Sequence, residues 1–316
     1  MERRTFLGFS AIGIGFGLLQ GCTPFKSANS KVYLNYTQSE LDDAYNQDVW
    51  AHPGFEKTIN SYGEISEQVK KQFQFQTLQY GNKQSEVMDV FTVDSERPAP
   101  IHVFIHGGAW RMLSKDTSAG PAPVFVDKGG IYIALNFDNI PATTLPGMVE
   151  QCRRALSWIY NNAETFGGDR DQITLSGHSS GAHLVGVMLA TDWTHYGVPK
   201  RLIKGAVVIS GMCDMTAPML SFRGKYLNLT EAQAYAYSPI NFVSEITCPV
   251  FVAWGEHESP EFKRQSLVFA EALKKSGALQ GQLQFRGLDH LQAALELNDP
   301  RSRVSEVALS QMGLHA

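Results

Sequence analysis

Ser179 stands in the run Gly177-His178-Ser179-Ser180-Gly181, a GxSxG pattern in which a hydroxyl can act as the nucleophile of an acyl transfer. So short a pattern also fits a plain glycine-rich corner between a strand and a helix, and its surroundings have to decide. Residues 173–177 read as the end of an apolar strand and residues 181–191 as the start of a helix. That context predicts a sharp strand-to-helix turn, with a strained serine between glycines that let strand and helix approach. The helix N-terminus adds positive potential where an oxyanion would form. A base and an acid must follow downstream. Residues 253–265, after an apolar run, supply Glu256 and Glu258, and residues 285–292, after a final strand, supply His290. The order serine, acid, histidine is the one such a triad requires on this kind of chain.

Upstream of the serine, His106-Gly107-Gly108-Ala109-Trp110 follows another buried strand. His-Gly-Gly at a strand end resembles the oxyanion loop of lipases and esterases, where a side chain would block the backbone's approach to substrate. The amides of Gly107, Gly108, Ala109 and Ser180 are the expected oxyanion donors, and Trp110 is the expected substrate contact. His178, His183 and His257 form no metal-ligand pattern and read as supporting residues; no metal and no cofactor is expected. Asp289 and Asp214 read as structural.

These residues need a scaffold that delivers loops to one edge. Residues 73–80 and 87–93 alternate apolar and polar side chains, as half-buried edge strands do. Residues 101–105, 131–137, 173–175, 206–210 and 249–254 are short and apolar and predict parallel strands covered on both faces, with residues 281–285 as the last strand. Helical stretches at 146–166, 182–191 and 261–276 lie between them, and residues 39–71 read as helices broken near Pro53-Gly54. Repeated βα units predict one α/β domain, residues 39–316, with a mostly parallel sheet and helices on both faces.

The 316 residues are 43% hydrophobic and 18% charged, which argues against disorder. The formal net charge of −4, with basic residues scattered in pairs, gives no nucleic-acid footprint. Residues 1–21 differ: Arg3 and Arg4 precede an almost uncharged stretch too short for a membrane span, followed by Gly21 and Cys22. This predicts an export signal, by the twin-arginine or the general secretion route. A lipobox-like end would make Cys22 a lipidated N-terminus, with residues 22–38 as a tether and the membrane met only through that anchor. Cys152, Cys213 and Cys248 are far apart and read as small buried hydrophobes.

The series HGGAW (106–110), GHSSGAHL (177–184), TDW (191–193), GMCD (211–214), LTEAQAYAYSP (229–239), HESPEF (257–262) and RGLDH (286–290) resembles the kynurenine formamidase (arylformamidase) branch of the α/β-hydrolases, near the hormone-sensitive-lipase type of esterase. The resemblance runs from about residue 79 onward. It implies an α/β-hydrolase fold and a Ser179, Glu258, His290 triad that cleaves short-acyl amides or esters, with an aromatic leaving group under a cap built from residues 214–239. The family usually has Asp where this chain has Glu258, and its reaction is expected inside the cell, whereas this chain begins with an export signal. A general carboxylesterase for short-chain or aryl esters, and a catalytically silent envelope binding protein, are the competing readings.

Overall fold

The apolar runs become strands because β-branched and aromatic side chains fill a pleated surface buried on both faces. In the computed structural model, which describes residues 30–51 and 54–315, they assemble into one eight-stranded sheet. A hairpin of β1 (Lys31–Tyr33) and β2 (Tyr36–Thr37) leads into α1 (Gln38–Tyr45), α2 (Gln47–Trp50) and α3 (Phe55–Gln72). The sheet begins with β3 (Phe75–Gln79), β4 (Val87–Phe91) and β5 (Ala99–Ile105), then α4 (Ala122–Val126), β6 (Ile131–Leu135), α5 (Leu145–Asn162), β7 (Gly168–His178) and α6 (Ser180–Leu189). After β8 (Ile203–Ile209) come three short helices, α7 (Thr216–Leu220), α8 (Gly224–Leu227) and α9 (Glu231–Ala236). The chain then runs through β9 (Val250–Gly255), α10 (Pro260–Ser276), β10 (Leu279–Phe285), α11 (Gln292–Leu295) and α12 (Arg303–Gln311).

The strand order is β10-β9-β8-β7-β5-β6-β4-β3, parallel except for β4, which runs antiparallel to both β6 and β3. One apolar core joins Ile101, Val103 and Leu175 to Leu156 of α5, Val185 of α6 and Phe262 of α10. The other joins Phe104, Ala134 and Val207 to Val69 of α3, Phe125 of α4 and Leu309 of α12. Helices therefore cover both faces, as the sequence predicts. The chain leaves β5 for β6 on one side and then crosses to β7 on the other, so the strand order reverses between β5 and β7. Ligands enter parallel sheets at such a point, beyond the strands' C-terminal ends.

Two expectations need revision. The tether expected over residues 22–38 ends by Lys31, because the β1–β2 hairpin is docked: Tyr33 Oη donates to Asp214 Oδ2 at 2.7 Å and accepts from Arg264 Nη2 at 2.9 Å. Of the alternating strands, β3 is the exposed edge, whereas β4 lies between β3 and β6 and is almost wholly buried. The segment expected to be an export signal, with Arg3, Arg4 and Cys22, lies outside the described residues. Cys152, Cys213 and Cys248 are buried free thiols.

Candidate active site

Ser179 occupies the turn between β7 and α6 at φ 55°, ψ −120°, a conformation that side-chain-bearing residues rarely adopt. Its amide donates to Ile209 O at 2.9 Å and its carbonyl accepts from His183 N at 3.0 Å, so β8 and α6 both hold it. The flanking glycines are required by space. A Cβ on Gly177 would meet Gly181 C at 2.7 Å, and one on Gly181 would meet Ile105 O at 2.0 Å. Strand, helix and the end of β5 can therefore meet only over bare backbone.

The loop after β5 lies against this turn. Gly108, Ala109 and Trp110 all have positive φ, at 101°, 52° and 60°, and a Cβ on Gly108 would meet Met112 O at 2.0 Å. Trp110 N donates to Ser180 Oγ at 3.2 Å, tying the loop to the first residue of α6. Gly108 and Ala109 line the main cavity beside Ser179. Gly107 does not. It backs onto the turn, where a Cβ would meet His178 O at 2.7 Å, and it borders a separate cavity of about 40 Å³. It packs the loop against the turn that carries the nucleophile.

His290, on the loop after β10, places Nε2 2.9 Å from Ser179 Oγ. Its backbone carbonyl accepts from His178 Nε2 at 2.7 Å, so the elbow's variable histidine fixes the loop that carries the base. Glu258, after β9, accepts through Oε1 from Ser210 Oγ at 2.5 Å and from the Gly255 amide at 2.6 Å. Its Oε2 faces His290 Nδ1 at 3.5 Å, and neither atom has another partner. A closure of about 0.5 Å would make this a hydrogen bond. Burial pushes the Glu258 carboxyl up to about 7 and the His290 imidazole down to about 3. The first cause of both is the cost of a charge away from water, and the Arg223 guanidinium lowers His290 further.

The other candidates separate cleanly. Glu256 is exposed and accepts from the Gly287 amide at 2.8 Å, bracing the β9 and β10 loops against each other. His257 is exposed, and Asp289 caps the following turn through the Leu291 and Gln292 amides. Asp214 accepts from Thr216 N and Tyr33. Trp110, expected to touch substrate, is 1% exposed and does not line the main cavity. Its indole N–H donates to His183 Nδ1 at 3.3 Å, which fixes the tautomer in which His183 Nε2 donates to Tyr237 O at 2.8 Å. The tryptophan thus stiffens the oxyanion loop from behind.

Ser179 opens onto a cavity of about 490 Å³. Phe222, Arg223 and Tyr226 of the α7–α8 region form one wall, as the expected cap predicts. The opposite wall, with Tyr45, Gln47 and Tyr62 from α1, α2 and α3, carries no signal in the sequence beyond amphipathic helices.

A strained serine, a hydrogen-bonded histidine and a buried carboxylate at the switch point of this sheet define a serine hydrolase of the α/β-hydrolase fold. The BD-FAE family model matches residues 88–273, more than half of the chain. A kynurenine formamidase of Danio rerio is 32% identical over 240 residues, 74% of this chain and 80% of that one. The esterase LipQ of Mycobacterium tuberculosis is 30% identical over 200 residues, 58% of this chain and 47% of that one. Among solved structures, a Silicibacter protein provisionally named a thioesterase superposes with a TM-score of 0.75 at 24% identity, over 85% of this chain and 98% of that one, a likeness of fold. The chain belongs to the BD-FAE family and to the arylformamidase-like branch of the α/β-hydrolases, and it is a hydrolase of ester or amide bonds.

Proposed function

We propose that Ser179, His290 and Glu258 carry out a two-step acyl transfer on short-acyl aryl amides or esters, as an arylformamidase does. The observation that carries the reading is the 2.9 Å contact between Ser179 Oγ and His290 Nε2 at the edge of the 490 Å³ cavity. In the first step Oγ attacks the acyl carbon while His290 Nε2 takes its proton, and Glu258 stabilises the imidazolium through Nδ1. The amides of Gly108, Ala109 and Ser180 receive the oxyanion; that of Ser180, at the start of α6, has no intrahelical partner. His290 then gives its proton to the leaving nitrogen or oxygen. Water, deprotonated by the same imidazole, attacks the acyl-serine, and the acid and free serine result.

The cavity walls Tyr45, Tyr62, Phe222 and Tyr226 favour an aromatic leaving group, and the arylformamidase likeness favours a small acyl group. The kynurenine formamidase name of the 32% identical relative supports the same class. The test is a panel of aryl formamides, N-formyl-L-kynurenine and aryl esters from formyl to octanoyl. Rates are expected to peak at the shortest chains, with each poorly held methylene costing roughly 1–3 kcal/mol of transition-state binding. Formamide rates comparable to those of the esters favour the arylformamidase reading; esters alone favour a carboxylesterase; an optimum at long chains overturns the acyl-size argument.

The reading of residues 1–21 as an export signal, and of Cys22 as a lipidated anchor in the cell envelope, is part of the proposal. In the producing cell, Cys22→Ser is expected to move the protein from the membrane to the soluble envelope fraction. Unchanged fractionation refutes the anchor.

A further inference from the structure

The cavity wall contains two buried polar side chains that the protein itself leaves unsatisfied. Arg223, just before α8, is 3% exposed. Nη2 donates to Tyr45 O at 2.8 Å, Nη1 reaches only the Met212 sulfur at 3.6 Å, and Nε has no acceptor. The guanidinium lies over the rings of Tyr45 and Phe262, at 5.0 and 5.8 Å, and among the described residues it forms no ion pair. On the other wall, Gln47 at the start of α2 is 9% exposed, and neither its Oε1 nor its Nε2 finds a partner.

Buried polar groups in proteins are almost always hydrogen-bonded, and a buried charge without a counter-ion is costlier still. A ring face and two weak or single acceptors hold the guanidinium in place but leave its charge unneutralised. Both side chains border the one cavity that Ser179 opens into. At its mouth Arg111 stacks over Tyr226 at 4.8 Å, also without an ion pair, and the acidic residue on this lining is the exposed Asp48. The histidines facing the cavity, His178 and His290, are kept neutral by burial. The cavity therefore presents net positive charge at depth.

We infer that the leaving-group half of the substrate carries a carboxylate that Arg223 receives, while Gln47 hydrogen-bonds a neutral polar group of the same molecule. The inference rests on the hydrolase reading above for the orientation of the substrate. Arginine suits the task because its fork can take two carboxylate oxygens at once and it stays charged when buried.

The test compares phenyl acetate with 3-carboxyphenyl and 4-carboxyphenyl acetate. The wild-type enzyme is expected to favour at least one carboxylate ester by on the order of 10- to 100-fold in kcat/KM, the range for hydrogen bonds to a charged group. Arg223→Met should bring that ratio to near one, and Arg223→Lys should keep part of it. A wild-type ratio near one, or a preference that survives Arg223→Met, overturns the proposal. Loss of the preference in Arg111→Met instead assigns the carboxylate to the mouth and also overturns it. Calorimetry of 3- and 4-hydroxybenzoate against phenol, on Ser179→Ala with and without Arg223→Met, judges the carboxylate site without turnover. Tighter binding of a hydroxybenzoate that depends on Arg223 supports the inference even if no ester is cleaved, an outcome that would sink only the hydrolase reading. Equal binding of carboxylate and phenol refutes it.

Discussion

At the scale of single residues, the acid at position 258 is a glutamate one methylene longer than aspartate, and Ser210 and the Gly255 amide hold it back so that Oε2 alone faces His290. If that geometry serves catalysis, Glu258→Ala should lower kcat by on the order of 10⁴, as loss of the group that fixes the imidazole tautomer does, whereas Glu256→Ala should change it little. A crippled Glu256→Ala with an active Glu258→Ala would reverse the assignment. Ser179→Ala should abolish both turnover and fluorophosphonate labelling, and labelling that persists would point to another nucleophile. The active form needs both Glu258 and His290 without the shared proton. Since burial holds the carboxyl up to about 7, kcat/KM should fall as pH drops below about 7. Glu258→Gln should remove that limb, because the remaining imidazole is held down to about 3; a limb still near 7 would place the titrating group elsewhere. Ser179 and His290 were legible from type and order, and Glu258 came with them through the family likeness. Trp110 departs from the expected substrate contact because a motif records identity and not direction: its indole turns inward to His183. Arg223 gave no signal, since what sets it apart is the missing counter-ion, a property of its surroundings alone.

At the scale of elements, the loop after β5 works only while three consecutive residues keep positive φ, and Gly108 is the tightest of them. Gly108→Ala drives a methyl into the Met112 carbonyl and must move the Ala109 amide. The expected loss is on the order of 10²- to 10³-fold in kcat, the scale for one oxyanion donor, with near-UV circular dichroism unchanged. A variant with full activity would show that the loop's amides do not hold the oxyanion. The strands and the three long helices after them were legible because each carries its own period. The elements that escaped reading are short and held by partners far away in sequence. Phe222 N donates to Asp42 Oδ1 at 2.6 Å and Gln38 Nε2 to Leu220 O at 2.9 Å, so α1 and the cap define each other across some 180 residues. The β1–β2 hairpin falls within the expected tether for the same reason: two and three residues of strand have no visible period, and Tyr33 finds its place only against Asp214 and Arg264.

At the scale of the whole molecule, the most consequential feature is that His102, His106, His178, His183 and His290 are all buried as neutral rings. Burial pulls their pKa values down to between about 3 and about 4. His102 shows the arrangement: Nδ1 lies 2.9 Å from Thr174 Oγ1, Nε2 lies 2.6 Å from Ser176 Oγ, and its face stacks on Phe125 at 4.2 Å. In the unfolded chain each ring binds its proton near 6.5, so between that pH and about 4 the unfolded state carries more protons and is favoured. Each histidine then contributes stability that is present above pH 6.5 and lost as pH falls toward its folded value. Glu258 acts with the opposite sign, since its folded pKa is raised and its contribution is lost as pH climbs through about 7. Glu296, also raised by burial, acts with Glu258, but the five rings outnumber the two carboxyls, so stability falls as pH drops through this window. The protein should therefore unfold cooperatively between about pH 6 and 5, with calorimetric melting temperatures falling steeply from pH 7.5 through 6.5 to 5.5. His102→Gln should reduce that steepness, because it removes one titrating ring while an amide can still meet the Thr174 and Ser176 hydroxyls. A melting temperature that holds steady down to pH 5 would mean that these rings are charged or reach water in the folded state.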